Sequence, residues 1–92
     1  MPIKVCDTTI TAENTFSQSV ILTGTFDISI SGDWSGTVTV QRSRDNATWR
    51  DVEVFTQNIE QGGFEGVSEV YYRAGIKTGD FGSGSVVVEL WL

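Results

Sequence analysis

The stretch GTFDISISGDWSGTVTVQRSRDNATWRDV, residues 24–52, alternates apolar and polar positions with a period of two. Phe26, Ile28 and Ile30 are separated by single polar residues, and Val38 and Val40 resume the pattern beyond Gly32-Asp33. A period of two sends alternate side chains to opposite faces of a pleated strand, whereas a helix needs a period near 3.6. The runs that carry it are rich in Thr, Val and Ile, whose branched Cβ atoms suit a pleated sheet and lower helix propensity. No long span of the chain keeps a helical period with caps. The expectation is an all-β chain with one wet and one dry face on each strand.

Strand signals separated by turn residues recur along the whole sequence. They predict strands at 3–6, 8–11, 19–22, 25–30, 36–43, 48–54, 70–77 and 85–92, with weak pairing at 58–64 in the glycine-rich EQGGFEG region. Gly24 reads as a bend or bulge. SGDWSG reads as a turn, with Trp34 exposed in it, and TGDFGSG as a hairpin loop. The predicted inner set is Phe26, Ile28, Ile30, Val38, Val40, Val52, Val54, Tyr72, Ala74, Ile76, Val86, Val88 and Leu90. Asp27, Ser29, Thr37, Thr39, Gln41, Glu53, Arg73 and Glu89 are predicted to face outward. Short strands of this kind suit a small two-sheet antiparallel β-sandwich, with a small closed β-barrel as the alternative.

Ninety-two residues make one domain, residues 1–92, with residues 1–7 as an extended N-terminal arm. A chain of this size buries only a little over ~60% of its unfolded surface, so small domains often add disulfides, metals or partner subunits. With one cysteine (Cys6) and no histidine, an internal disulfide or a Cys/His zinc site is out of reach, which leaves oligomerisation. Six basic and twelve acidic residues give a net charge of −6. Scattered bases on an acidic chain argue against nucleic acid, since phosphate backbones are bound by clustered Lys and Arg. The N-terminal sequence lacks the basic-then-apolar plan of a secretory signal, and no run approaches the ~18 apolar residues of a membrane helix, so no membrane partner is expected.

Chemistry is sparse in this sequence. Without histidine the commonest general base and any Ser-His-acid arrangement are missing. Asp27, Asp33, Asp45, Asp51 and Asp80 would be candidates for paired-carboxylate hydrolysis, yet each falls on an outer strand face or in a turn, where Asp caps local backbone groups. GDFGSG superficially has the glycines of a phosphate loop but lacks the Lys-Ser/Thr ending and the following helix. RDNATW carries oxygen ligands without calcium-loop spacing. The expectation is no enzyme, no cofactor and no metal. Trp34, Trp49, Trp91, Tyr71, Tyr72 and Phe64 could stack on sugar rings, though Trp49 reads first as a core plug. The C-terminal VVVELWL cannot hide both Val88 and Trp91 on one inner face. Ile3, Val5, Val87, Trp91 and Leu92 are therefore the candidate protein-interface residues, since exposed apolar surface marks protein contact.

The opening stretch together with YYRAGIKTGDFGSGSVVVELW resembles a family of small β-sandwich virion proteins of tailed bacteriophages, over most of the chain from about residue 23 onward. The resemblance rests on the Gly-Thr-Phe strand, the TVTVQRS hairpin ending in Trp49, and the C-terminal YRAGIKTGDFGSGSVVVEL. It implies an immunoglobulin-like or jelly-roll-like sandwich and a virion structural protein, foremost a capsid decoration or cement protein. The implied partner is the major capsid protein, with a homotrimer as the first expectation and the capsid surface as the location. The same resemblance leaves a tail or neck component, or a carbohydrate-binding adsorption module, as alternatives. No catalytic residue comes with it.

Overall fold

A computed structural model describes residues 3–92. Seven strands follow in chain order: β1 (Lys4–Ile10), β2 (Thr15–Phe16), β3 (Val20–Gly36), β4 (Val38–Ser43), β5 (Arg50–Phe55), β6 (Ile59–Ile76) and β7 (Phe81–Trp91). All pairings are antiparallel, in the order β1-β7-β3-β6-β4-β5, with β2 paired to β6 outside that path. The described residues hold no helix. The all-β expectation therefore stands, as one antiparallel sheet whose edge strands, β1 and β5, are not paired to each other.

Two long strands organise the sheet. The 17-residue β3 pairs with β6 from Val20 to Ile30 and with β7 from Asp27 to Gly36. The 18-residue β6 pairs with β3 from Ile59 to Tyr72 and takes β4 on its other side from Tyr71 to Gly75. Several predicted turns are thus strand. SGDWSG is the continuation of β3, and the glycine-rich end of TGDFGSG opens β7 opposite it, with Trp34 facing Gly84 and Ser35 facing Ser83. Glycines there permit close strand contact instead of a reversal. Residues 59–64 pair residue for residue with β3 from Ile30 to Thr25, so the pairing expected to be weak is continuous. The strand predicted at 3–6 is present as the start of β1, where Lys4, Cys6 and Asp7 pair with β7, while residues 1 and 2 of the expected arm lie outside the described residues. Gly24 does mark a bulge, at φ +81°, where the single residue Thr23 stands against four residues of β6, Gly66 to Glu69.

The inner face gathers one core cluster. Phe26, Ile28, Ile30, Val38, Val40, Tyr72, Ala74, Ile76, Val86, Val88 and Leu90 are all buried in it, as their alternation predicts, joined by Cys6, Ile10, Leu22, Phe55 and Val70. The Phe26 and Tyr72 rings meet at 5.1 Å between centroids. Val52 and Val54 are the exceptions, 47% and 59% exposed. A register shift between Val40 and Gln41 leaves Val52 as the extra residue on β5, and Val54 pairs with Thr39, on the face opposite Val38 and Val40. Val40→Ala is accordingly expected to cost about 1–3 kcal/mol through lost transfer energy and a residual cavity. Val54→Ala should stay within about 0.5 kcal/mol, as surface changes do. Urea melts of the two variants check this pair directly.

Three predicted outward residues, Ser29, Thr39 and Gln41, are buried. Thr39 and Gln41 do alternate away from Val38 and Val40, but the outer face carries its own cover there. The Arg73 guanidinium lies 4.3 Å from the centroids of both Phe16 and Trp49, and its Nε donates to Gln41 Oε1 at 2.8 Å. Gln41 donates in turn to Asp51, which also receives Lys77 Nζ. Trp49 is thus half-buried outside the sheet, stacked on Arg73, and is not a core plug. Ser29 is buried beside Glu60, to whose carboxylate it donates.

Candidate functional site

Four of the five interface residues read from the sequence, Ile3, Val5, Trp91 and Leu92, lie at one corner of the sheet, and Val87 stands apart from it between Thr9 and Ser31. Ile3 and Leu92 exchange both backbone hydrogen bonds, at 2.8 and 2.7 Å, extending the β1-β7 ladder. Ile3 is 60% exposed and Leu92 40%. Trp91 is half-buried on the outer face, opposite Lys4 on one side and Asp27 on the other, with Lys4 Nζ 5.7 Å from its ring. Its Nε1 donates to Glu89. Val87, two pairs further along that face, is half-buried, and Val5 packs against the core at a bulge between Lys4 and Cys6.

A second apolar surface lies along β3 and β6, and sequence reasoning missed it. Ile21 faces Tyr71, Thr25 faces Phe64, and the four-residue bulge that carries Val67 lies between these two pairs. Ile21, Phe64 and Val67 are all exposed, and Phe64 is the most exposed large apolar residue described, at 73%. In this part of β6 the inner positions are Gln61, Gly63 and Glu65, whereas Phe64 alternates with Gly62 and Glu60 on the outside. The Phe26 ring fills the space where a Gly63 side chain would stand, with atoms 2.7–2.8 Å from an added Cβ. The apolar residue on the wet parity was the available signal.

Of the six aromatic residues weighed for stacking on a ligand, only Phe64 is exposed. Tyr72 is core; Trp34 packs against the core and donates to Asn58; Trp49 is taken up by Arg73. No group of three or more His, Cys, Asp or Glu gathers to hold a metal among the described residues. Asp45 acts structurally. It accepts the Thr48 and Ala47 amides and the Ser43 hydroxyl, which hold its carboxyl down to about 2 and fix the β4-β5 connection around Asn46 at φ +58°.

The strongest polar cluster sits beneath the bulge. Glu65 is buried, and its carboxylate accepts Arg42 Nε at 2.6 Å and Nη2 at 2.9 Å, the Tyr72 hydroxyl at 2.7 Å and the Val67 amide at 2.9 Å. Bidentate, charge-assisted contacts of this kind are the strong ones. The Arg42 guanidinium first, then Tyr72 and the Val67 amide, hold the Glu65 carboxyl down to about 2 against the opposing effect of burial. Burial, followed by the neighbouring Glu65 charge, pushes Tyr72 up to about 12. A saturated, inward-facing carboxylate has no free lone pair for a substrate. It ties β4 and β6 together under the bulge.

No family model matches the chain, and neither does any curated protein or solved structure.

Proposed function

We propose that this chain is a virion structural protein of a tailed bacteriophage, a capsid decoration protein that binds major capsid subunits and works by surface contact without catalysis. In this reading the sheet folds as a two-layer sandwich, the chain self-associates, with a trimer as the first expectation, and Ile3, Val5, Val87, Trp91 and Leu92 belong to a contact surface. The resemblance of the 24–52 and 71–91 segments supplies the kind of partner. The observation that carries the contact reading is the set of exposed apolar side chains Ile21, Phe64 and Val67, mounted on two strands braced by the bulge and its ion pair. Apolar surface held rigid and wet is what a binding face needs, because little side-chain order is lost when a partner covers it.

Phe64→Asp is expected to weaken attachment to capsids by about 30-fold or more, the loss typical of an anchor residue worth about 2 kcal/mol, while leaving the melting midpoint nearly unchanged. Sedimentation of purified protein with capsids that lack it measures this, and particles without it should lose resistance to heat or osmotic shock. Full attachment by the Asp variant would remove Phe64 from the interface. Absence of any binding by the wild-type chain would overturn the decoration reading itself. Light scattering over a concentration series reads the self-association, and a single-chain mass throughout would remove the trimer.

A further inference from the structure

The chain carries six cations against twelve carboxylates, so partners for its bases are plentiful. Among the described residues Lys4, Arg42 and Lys77 each form an ion pair. Arg73 is stacked between two rings and bonded to Gln41. Of these six cations only Arg44 and Arg50 are left without a carboxylate or a ring among the described residues. Both line one hollow of about 450 Å³ at the end of the β4-β5 hairpin. Arg42 also lines it and stands directly opposite Arg50 in the ladder.

Like charges directly opposite one another destabilise a sheet. A chain so rich in acid nevertheless places Arg opposite Arg and leaves the outer one unpaired. Of the two carboxylates at the hollow, Asp51 is engaged through both oxygens and Asp45 through Oδ1 alone, and neither forms an ion pair with Arg44 or Arg50 among the described residues. Asp45 is turned onto its own loop amides, and Asp51 is bonded to Gln41 and Lys77. The hollow is also braced: Glu65 fixes Arg42, and the Asp45 contacts fix the loop that carries Arg44. Guanidinium groups with free donors, set in a braced concavity, match the geometry and charge of oxyanions.

We propose that this hollow binds a tetrahedral oxyanion, phosphate or sulfate or a monoester of either, between Arg44 and Arg50 with Arg42 behind them. This site does not depend on the capsid reading. Inorganic phosphate and sulfate are the probes, titrated at constant ionic strength against chloride while the arginine Nε–H resonances are followed by NMR. Saturable shifts confined to the arginines of the hollow are expected with both probes and not with chloride. Arg44→Gln and Arg50→Gln should each weaken binding about tenfold or more, the loss expected for one charge-assisted contact. Arg50→Gln should leave the free protein no less stable than the wild type, since it removes the opposition to Arg42. Shifts that chloride reproduces, or that persist unchanged in the Arg44→Gln/Arg50→Gln double variant, would overturn the proposal. So would saturable binding of a tetraglutamate peptide with no response to phosphate or sulfate, which would mark an acidic protein segment as the occupant.

Discussion

Glu65→Ala should lower the unfolding free energy by about 2–4 kcal/mol at neutral pH, the range for removing one partner of a buried, hydrogen-bonded ion pair. The variant strips acceptors from two Arg42 nitrogens, from the Tyr72 hydroxyl and from the Val67 amide at once. Arg42 is partly exposed and regains water, which keeps the loss toward the lower half of that range; Tyr72 is core and does not. Glu65→Gln, which keeps the shape and an acceptor, should cost less. The pH dependence follows from the depressed carboxyl, about 2 in the folded chain against an ordinary 4.5. Between those values the unfolded chain binds the proton and the folded chain does not, so the contribution is complete above about 4.5 and is lost as pH falls toward 2. Tyr72, raised from 10.0 to about 12, adds a loss on the alkaline side above pH 10. Urea melts of wild type and Glu65→Ala at pH 7, 4 and 2.5 should therefore converge toward the acid end, the Asp45 contribution being common to both and cancelling in the difference. A difference that stays constant down the series would show that Glu65 acts through packing alone.

Alternation made the strands and most of the core legible, because a side chain's parity within a paired strand fixes its face. Eleven of the thirteen residues in the predicted inner set are buried in one cluster, and of the two that are not, Val52 is the bulged residue of β5 and Val54 lies just beyond it. Bulges are where parity reasoning fails, since one extra residue exchanges the faces beyond it. The Arg42–Glu65 pair was illegible for a related reason. Glu65 is brought under the sheet by the register of β6 against β3 and β4, and neither its neighbours nor its spacing from Arg42 signals burial. Phe64 reads as a ring free to stack and is exposed, but its grouping with Ile21 and Val67 depends on the register of β6 against β3 across the bulge, which the sequence does not signal. Thr39 and Gln41 were read on the correct face, but the Phe16–Arg73–Trp49 stack that covers their surroundings joins three residues distant in sequence. At the β1-β7 corner Ile3 and Leu92 are exposed, as their place outside the alternation suggests, whereas Val5 packs against the core. The glycines misled most. Gly32, Gly36, Gly82 and Gly84 read as turn formers, yet they lie in paired or closely approached strand, where the missing side chain admits the neighbouring backbone.

Gly84 is where that distinction has its largest consequence. It lies opposite Trp34 in the β3-β7 ladder at φ +84°, and an added Cβ would stand 2.1 Å from the Asp33 carbonyl oxygen and 2.9 Å from Trp34 Cα. Gly84→Ala therefore combines left-handed backbone strain of about 1–2 kcal/mol with overpacking of about 1–3 kcal/mol, a total of about 2–5 kcal/mol, against atoms of the main chain that cannot rotate away. Gly24 separates the two contributions. Its φ is +81°, nearly the same, but nothing lies within 4 Å of its added Cβ, so Gly24→Ala should cost only the backbone part. The expected result is a Gly84→Ala midpoint well below that of Gly24→Ala, with faster amide exchange from Asp33 to Gly36 and from Phe81 to Ser85, while the β3-β6 amides beyond the bulge keep their protection. If these segments form a turn and a hairpin loop, as their composition suggests, the clash does not exist. The two alanine variants would then lose the same free energy within about 1 kcal/mol, and the pairing of SGDWSG with FGSGS would be wrong.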